Sequence, residues 1–161
     1  MSDFEDRLKG AVDRGFQRAA ARADAAHRAA LTEEELRQLH TQHRLHLSDS
    51  IEQRMKRLPD FFPGFRLQSL YGDEGWGVSC SRDDFAPIVG GSRKNLFSRI
   101  QLTIRPYSHL QVLEMHGKAT IRNREIFNRN HFEKIVDVSP ERFEQLMDAW
   151  ILEFAELYAA G

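Results

Sequence analysis

Three histidines stand at i, i+3 and i+6 along one stretch, His40, His43 and His46, and Asp49 follows them. On a helix such neighbours share a face, and imidazole is a good ligand for zinc and similar ions. A metal site here needs a further ligand from elsewhere, such as His27 or a second copy of the chain. The apolar stripe of the same helix runs through His40 and His43. That favours core-edge histidines with hydrogen-bonded nitrogens, with His46 at the flank, over a metal centre. Histidine titrates near neutrality, so a pH-sensitive helix contact is the other chemistry open to the row.

A second group is cationic. In residues 99–127 the side chains sort by parity. Ile100, Leu102 and Ile104 alternate with Arg99, Gln101, Thr103 and Arg105. Leu113, Met115, Gly117, Ala119, Ile121 and Phe127 alternate with Glu114, His116, Lys118, Thr120, Arg122 and Arg124. A strand sends successive side chains to opposite faces, so this pattern predicts two half-buried strands with a charged outer face. That face carries Arg99, Arg105, Lys118, Arg122 and Arg124, with Arg66 as a candidate from an earlier strand. Such a set suits phosphates or an acidic protein. Sheets that read single-stranded RNA also stack bases on exposed aromatic rings. The polar parity of these strands offers none, so an acidic protein partner is favoured over nucleic acid.

Asn128, Arg129, Asn130 and His131, with Asn123 upstream, form a polar cluster. Asn-rich stretches make turns by bonding their own backbone, so a turn is expected there rather than an anion site. Gly90-Gly91-Ser92-Arg93-Lys94 lacks the GxxxxGK[ST] spacing of a phosphate loop and is expected to be a hairpin loop. No nucleophile–base pair, metalloprotease, EF-hand or dinucleotide motif occurs, so no catalytic residue and no cofactor is assigned. Cys80 is the single cysteine, which excludes an internal disulfide and CxxC chemistry.

The 161 residues carry 23 Lys or Arg against 24 Asp or Glu, a balance that argues against a dedicated polyanion binder. The balance hides a separation. Between Arg93 and Lys134 nine basic residues face three acids, while from Ser139 onward five acids face one Arg. No secretory signal or apolar run of membrane-spanning length is evident, so a cytoplasmic protein without membrane contact is expected.

The elements that must position these groups follow from periodicity. Phe4, Leu8, Val12 and Phe16 mark a helix over 3–30. Thr32 and Glu35 form a capping box for a second helix reaching about Arg57, before Pro59. Short strands follow at 65–71 and 76–81, a long connection at 83–97, then the two parity-sorted strands with a break or bulge near Gly117. Ser139 and Pro140 start the last helix. Its stripe from Phe143 through Leu146, Met147, Trp150, Ile151, Phe154 and Leu157 to Tyr158 must cover the apolar sheet face.

The expected fold is therefore α+β: a four-stranded antiparallel meander packed by a C-terminal helix and preceded by two helices, in the order α-α-β-β-β-β-α. Residues 1–58 form the helical pair, a candidate dimerisation segment, and 59–161 the sheet and last helix. The function that follows is a non-enzymatic protein-interaction or assembly module, homodimeric through its N-terminal helices, with an acidic partner on the basic face. Sequence-independent nucleic-acid or polyphosphate binding is the alternative, and a metal-dependent or small-molecule enzyme the third.

Overall fold

Helix α1 spans Asp3–Ala29 and α2 spans Glu33–Met55. The turn between them closes as the sequence requires. The Glu35 amide donates to Thr32 Oγ1 at 3.2 Å, and the Thr32 amide donates back to Glu35 Oε1 at 3.4 Å, so two amides lacking helical partners are satisfied reciprocally. The computed structural model describes residues 3–87 and 93–161. The chain divides into two units, one ending at Leu36 and one beginning at Arg37. In the first, α1 leaves Phe4, Leu8, Val12 and Phe16 exposed along one side.

The second unit holds the sheet. The one-turn α3, Leu58–Phe61, follows α2. Five strands come next: β1 Arg66–Leu70, β2 Trp76–Pro87, β3 Arg93–Ile104, β4 Val112–Ile121 and β5 Arg124–Lys134. They pair antiparallel in chain order, a simple meander. Helix α4, Pro140–Ala160, closes the chain, with the Ser139 hydroxyl accepting from the Arg142 amide and Pro140 in the first turn.

The α+β class and the antiparallel meander agree with the sequence, but the sheet has five strands where four were expected. The stretch read as one strand ending at Phe127 is broken by a two-residue turn, Arg122–Asn123, with φ of 47° and 68°. Two successive left-handed residues make a tight hairpin turn whose twist matches the flanking strands. Asn tolerates that conformation, and here it is also held from outside. Its Oδ1 accepts from the Phe97 amide at 2.9 Å, and its Nδ2 donates to Asn95 O at 2.8 Å. The connection expected at 83–97 is instead strand on both sides, with Asp83 opposite Phe97 and Phe85 opposite Asn95. Gly90, Gly91 and Ser92 lie outside the described residues.

One sheet face is sealed by two helices. Leu47, Ile51 and Met55 of α2 and Phe143, Met147 and Phe154 of α4 are fully buried with Ile100, Leu102, Ile104, Leu113 and Met115 of the sheet. Gly117 does not break β4. It keeps regular pairing with Leu102 and Arg129, and the register shift lies between Ala119 and Thr120. Its role is to admit Trp150: a Cβ there would sit 2.5 Å from the indole Cε3. Cys80 is buried on this face, and burial pushes its thiol up to about 11, so it stays protonated and inert.

Candidate binding face on the open side of the sheet

The register assigns every outward side chain. Cross-strand partners share a face. One row runs Leu70, Gly77, Thr103, His116, Asn130; the next Gln68, Ser79, Gln101, Lys118, Asn128; the third Arg66, Ser81, Arg99, Thr120, Glu125. Among the described residues, no helix of the second unit covers this side. The sheet nevertheless curves over it. At Gly77 an added Cβ would overlap Leu102 O and lie 2.8 Å from Thr103 Cα, so only glycine lets β2 close on β3 this tightly. Ser79 and Thr103 are each 2 % exposed although they point to the open side. The outcome is a half-open trough of about 550 Å³ lined by Arg99, Gln101, Thr103, Arg105, His116, Lys118, Asn128 and Asn130, with Phe97 and Glu74 at its margins.

Its electrostatics are unusual for this chain. Arg54, Arg82, Arg129 and Arg142 each meet a carboxylate. Among the described residues Arg99, Arg105 and Lys118 make no ion pair. Arg99 is oriented instead by Gln101, whose Oε1 accepts its guanidinium at 2.5 Å, and the His116 ring Nε2 lies 2.6 Å from Asn128 Oδ1. Arg99 is thus positioned by a neutral amide, which leaves its charge available to a ligand. The acids of this face are Glu74 on the lip, Asp83 opposite Phe97, Glu114 beside Arg105, and Glu125, which pairs with Thr120 in the Arg99 row. His116 has the Asn128 amide for its partner, and the Thr103 hydroxyl stands on the strand opposite it.

Of the basic residues expected here, Arg99, Arg105 and Lys118 converge on the trough, and Arg66 extends its third row. Arg122 does not join them. The turn carries it to the edge of the helix-covered side, where its guanidinium lies 4.7 Å from the Tyr158 ring centroid and donates to Tyr158 O at 3.3 Å. Arg124 pairs with Ile121 and so falls on that same side, at its exposed rim. The Asn128–His131 cluster is strand, not turn, and parity splits it. Asn128 and Asn130 line the trough. Arg129 points the other way and grips Glu153 of α4 with two nitrogens, at 2.6 and 3.1 Å. His131 stacks edge-on against Phe143, 4.8 Å between centroids, and bonds Glu133 at 2.7 Å.

The histidine row is dispersed. His40 is 3 % exposed and meets the Tyr107 ring edge-on at 5.8 Å. Burial holds both His40 and His43 below the ordinary 6.5. His46 bonds Glu144 of α4 at 3.0 Å. Among the described residues no group of three His, Cys, Asp or Glu side chains is placed to hold a metal ion.

Sequence reasoning missed the aromatic residues of this face. Phe97 continues the parity of Arg99, Gln101 and Thr103 by one step, and Phe85 lies diagonal to it across the β2–β3 pair. Phe132 pairs with Glu114, so it too points outward. Phe85 is 63 % and Phe132 65 % exposed. The parity signal reached Phe97 but was cut off where a loop was expected. No helix among the described residues is long and apolar enough to cross a membrane. Compared with known proteins, the chain finds no matching family model, no significant match among curated proteins and none among solved structures.

Proposed function

We propose a non-enzymatic binding module that takes an extended anionic partner in the trough on the open side of its sheet. The observation that carries this reading is the convergence of Arg99, Arg105 and Lys118, none of them ion-paired among the described residues, on one concave surface with amide and hydroxyl side chains between them. Cations in a water-exposed groove contribute little to stability, so leaving three unpaired costs the fold little and serves association. A trough of this size lies within the range of ligand sites, but its lining is polar, which suits a charged chain better than an apolar small molecule.

The test uses poly-L-glutamate as the probe. The full chain is expected to bind it at about 50 mM salt and release it as salt rises. Arg99→Glu with Lys118→Glu is expected to weaken binding at least tenfold while leaving the circular dichroism unchanged. Binding that survives this double reversal contradicts the reading.

A second proposal concerns self-association. Phe4 and Phe16 are 67 % and 71 % exposed on the same side of α1 as Leu8 and Val12. A helix of 27 residues with such a stripe is stabilised mainly by packing that stripe away. A homodimer through α1 is expected to give twice the chain mass by light scattering at tens of micromolar, and a monomer in Phe4→Glu/Phe16→Glu. A wild-type monomer at that concentration excludes the dimer.

A further inference from the structure

We infer that the anionic partner of the trough is a single-stranded nucleic acid. The inference rests on the proposed reading of this face as an anion site and goes beyond it by naming the ligand. Its independent support is the pair of aromatic ends. Phe85 and Phe97 are diagonal neighbours at one end of the face, and Phe132 stands at the other, next to the row of His116 and Asn130. Phe85 and Phe132 are exposed and Phe97 is half-buried, and three phenylalanines on one sheet face are more than scattered surface apolarity explains.

The dimensions fit an extended strand. From the Phe97 row to the Arg105 row β3 advances eight residues, or about 26 Å at roughly 3.3 Å per residue. Between the aromatic ends lie the cations Arg99 and Lys118, then Gln101, Asn128 and Asn130, whose amides both donate and accept. Aromatic rings for base faces, cations for phosphates and amides for base edges are the three components of single-strand recognition on sheets. An acidic peptide would use the cations but would leave the phenylalanines without partners. Duplex is disfavoured by the same logic, since its base faces are stacked away from the rings.

Three phosphate contacts predict a salt slope near −2 for a single strand, roughly a twentyfold loss of affinity between 50 and 200 mM salt. The experiment titrates the full chain into a fluorescein-labelled oligouridylate of about twelve nucleotides, read by anisotropy, with poly-L-glutamate and an RNA duplex in parallel. Phe85→Ala and Phe132→Ala replace exposed rings, and unchanged circular dichroism confirms that each variant folds. Oligouridylate binding that each substitution weakens roughly tenfold, and that exceeds duplex binding, is the expected result. Oligouridylate binding indifferent to both substitutions, or stronger duplex binding, overturns the inference. Binding of poly-L-glutamate without oligouridylate overturns the nucleic-acid assignment and leaves the anion site standing. Binding of neither probe overturns both.

Discussion

Gly117→Ala is expected to destabilise the second unit by about 3 kcal/mol, a lowering of Tm of roughly 6–12 °C. The new methyl would meet Trp150 Cε3 at 2.5 Å, Cζ3 at 2.7 Å and Leu102 Cδ2 at 3.1 Å. None of these can retreat. Leu102 is fully buried, and the indole lies in the layer between α4 and the sheet with Phe127 at 6.3 Å. Relief therefore requires α4 to lift from β4, which loosens contacts along the whole helix stripe. The cost falls on the helix-covered side. Poly-L-glutamate affinity measured well below the variant's Tm is expected to match that of wild type, because Gly117 adds nothing to the trough. Urea unfolding gives the stability, and a loss under 1 kcal/mol would mean that Trp150 has room the packing does not show.

Glu133 predicts the second large effect. It is almost fully buried between β5 and the start of α4, where it accepts from Arg142 at 2.9 and 3.1 Å and from the Ser139 amide at 2.8 Å, with His131 at 2.7 Å. Burial by itself would raise its pKa. The hydrogen bonds from Arg142, His131 and Ser139 outweigh that and bring it down to about 2 from the ordinary 4.5. A carboxylate with a depressed folded pKa contributes stability above its unfolded pKa and loses it as the pH falls through the folded one. The window here runs from about pH 4.5 down to about pH 2. Glu133→Gln is expected to cost about 3 kcal/mol at pH 7, since it leaves Arg142 and the helix start short of their acceptor. The gap between wild type and variant should close as pH falls through that window. Urea midpoints at pH 7, 4 and 3 measure it, and a gap that persists unchanged at pH 3 would remove Glu133 as the source.

Much of this architecture is legible in the sequence. The capping box at Thr32, the Ser139–Pro140 start of α4 and the apolar half of β3 and β4 are local rules, and each is obeyed locally. The differences around β4 and β5 share one cause. Arg122–Asn123 turns the chain without glycine, and what makes the turn stable is the Asn123 side chain reaching Phe97 and Asn95, 26 and 28 residues earlier. No window along the sequence contains that contact. Missing it merged β4 with β5, misplaced Arg122 and Arg124 on the outer face, and turned the Asn128–His131 strand into a turn. The unexpected continuation of β2 and β3 then supplied Phe85 and Phe97. Their absence had been the reason for ranking nucleic acid below an acidic protein. Gly117 signalled something real, but the reason for it was a tryptophan ring from α4 and not a bulge.

The central claim is that the open, concave side of the sheet is the working surface. Amide chemical shifts of the full chain, followed while poly-L-glutamate or oligouridylate is titrated in at low salt, test it most directly. The expected result is that shifts concentrate at Arg99, Gln101, Lys118 and Asn128, spread to Phe97 with oligouridylate, and spare Arg129, Trp150 and the remainder of α4. Shifts confined to α1 or α4, or none with either probe, would contradict it.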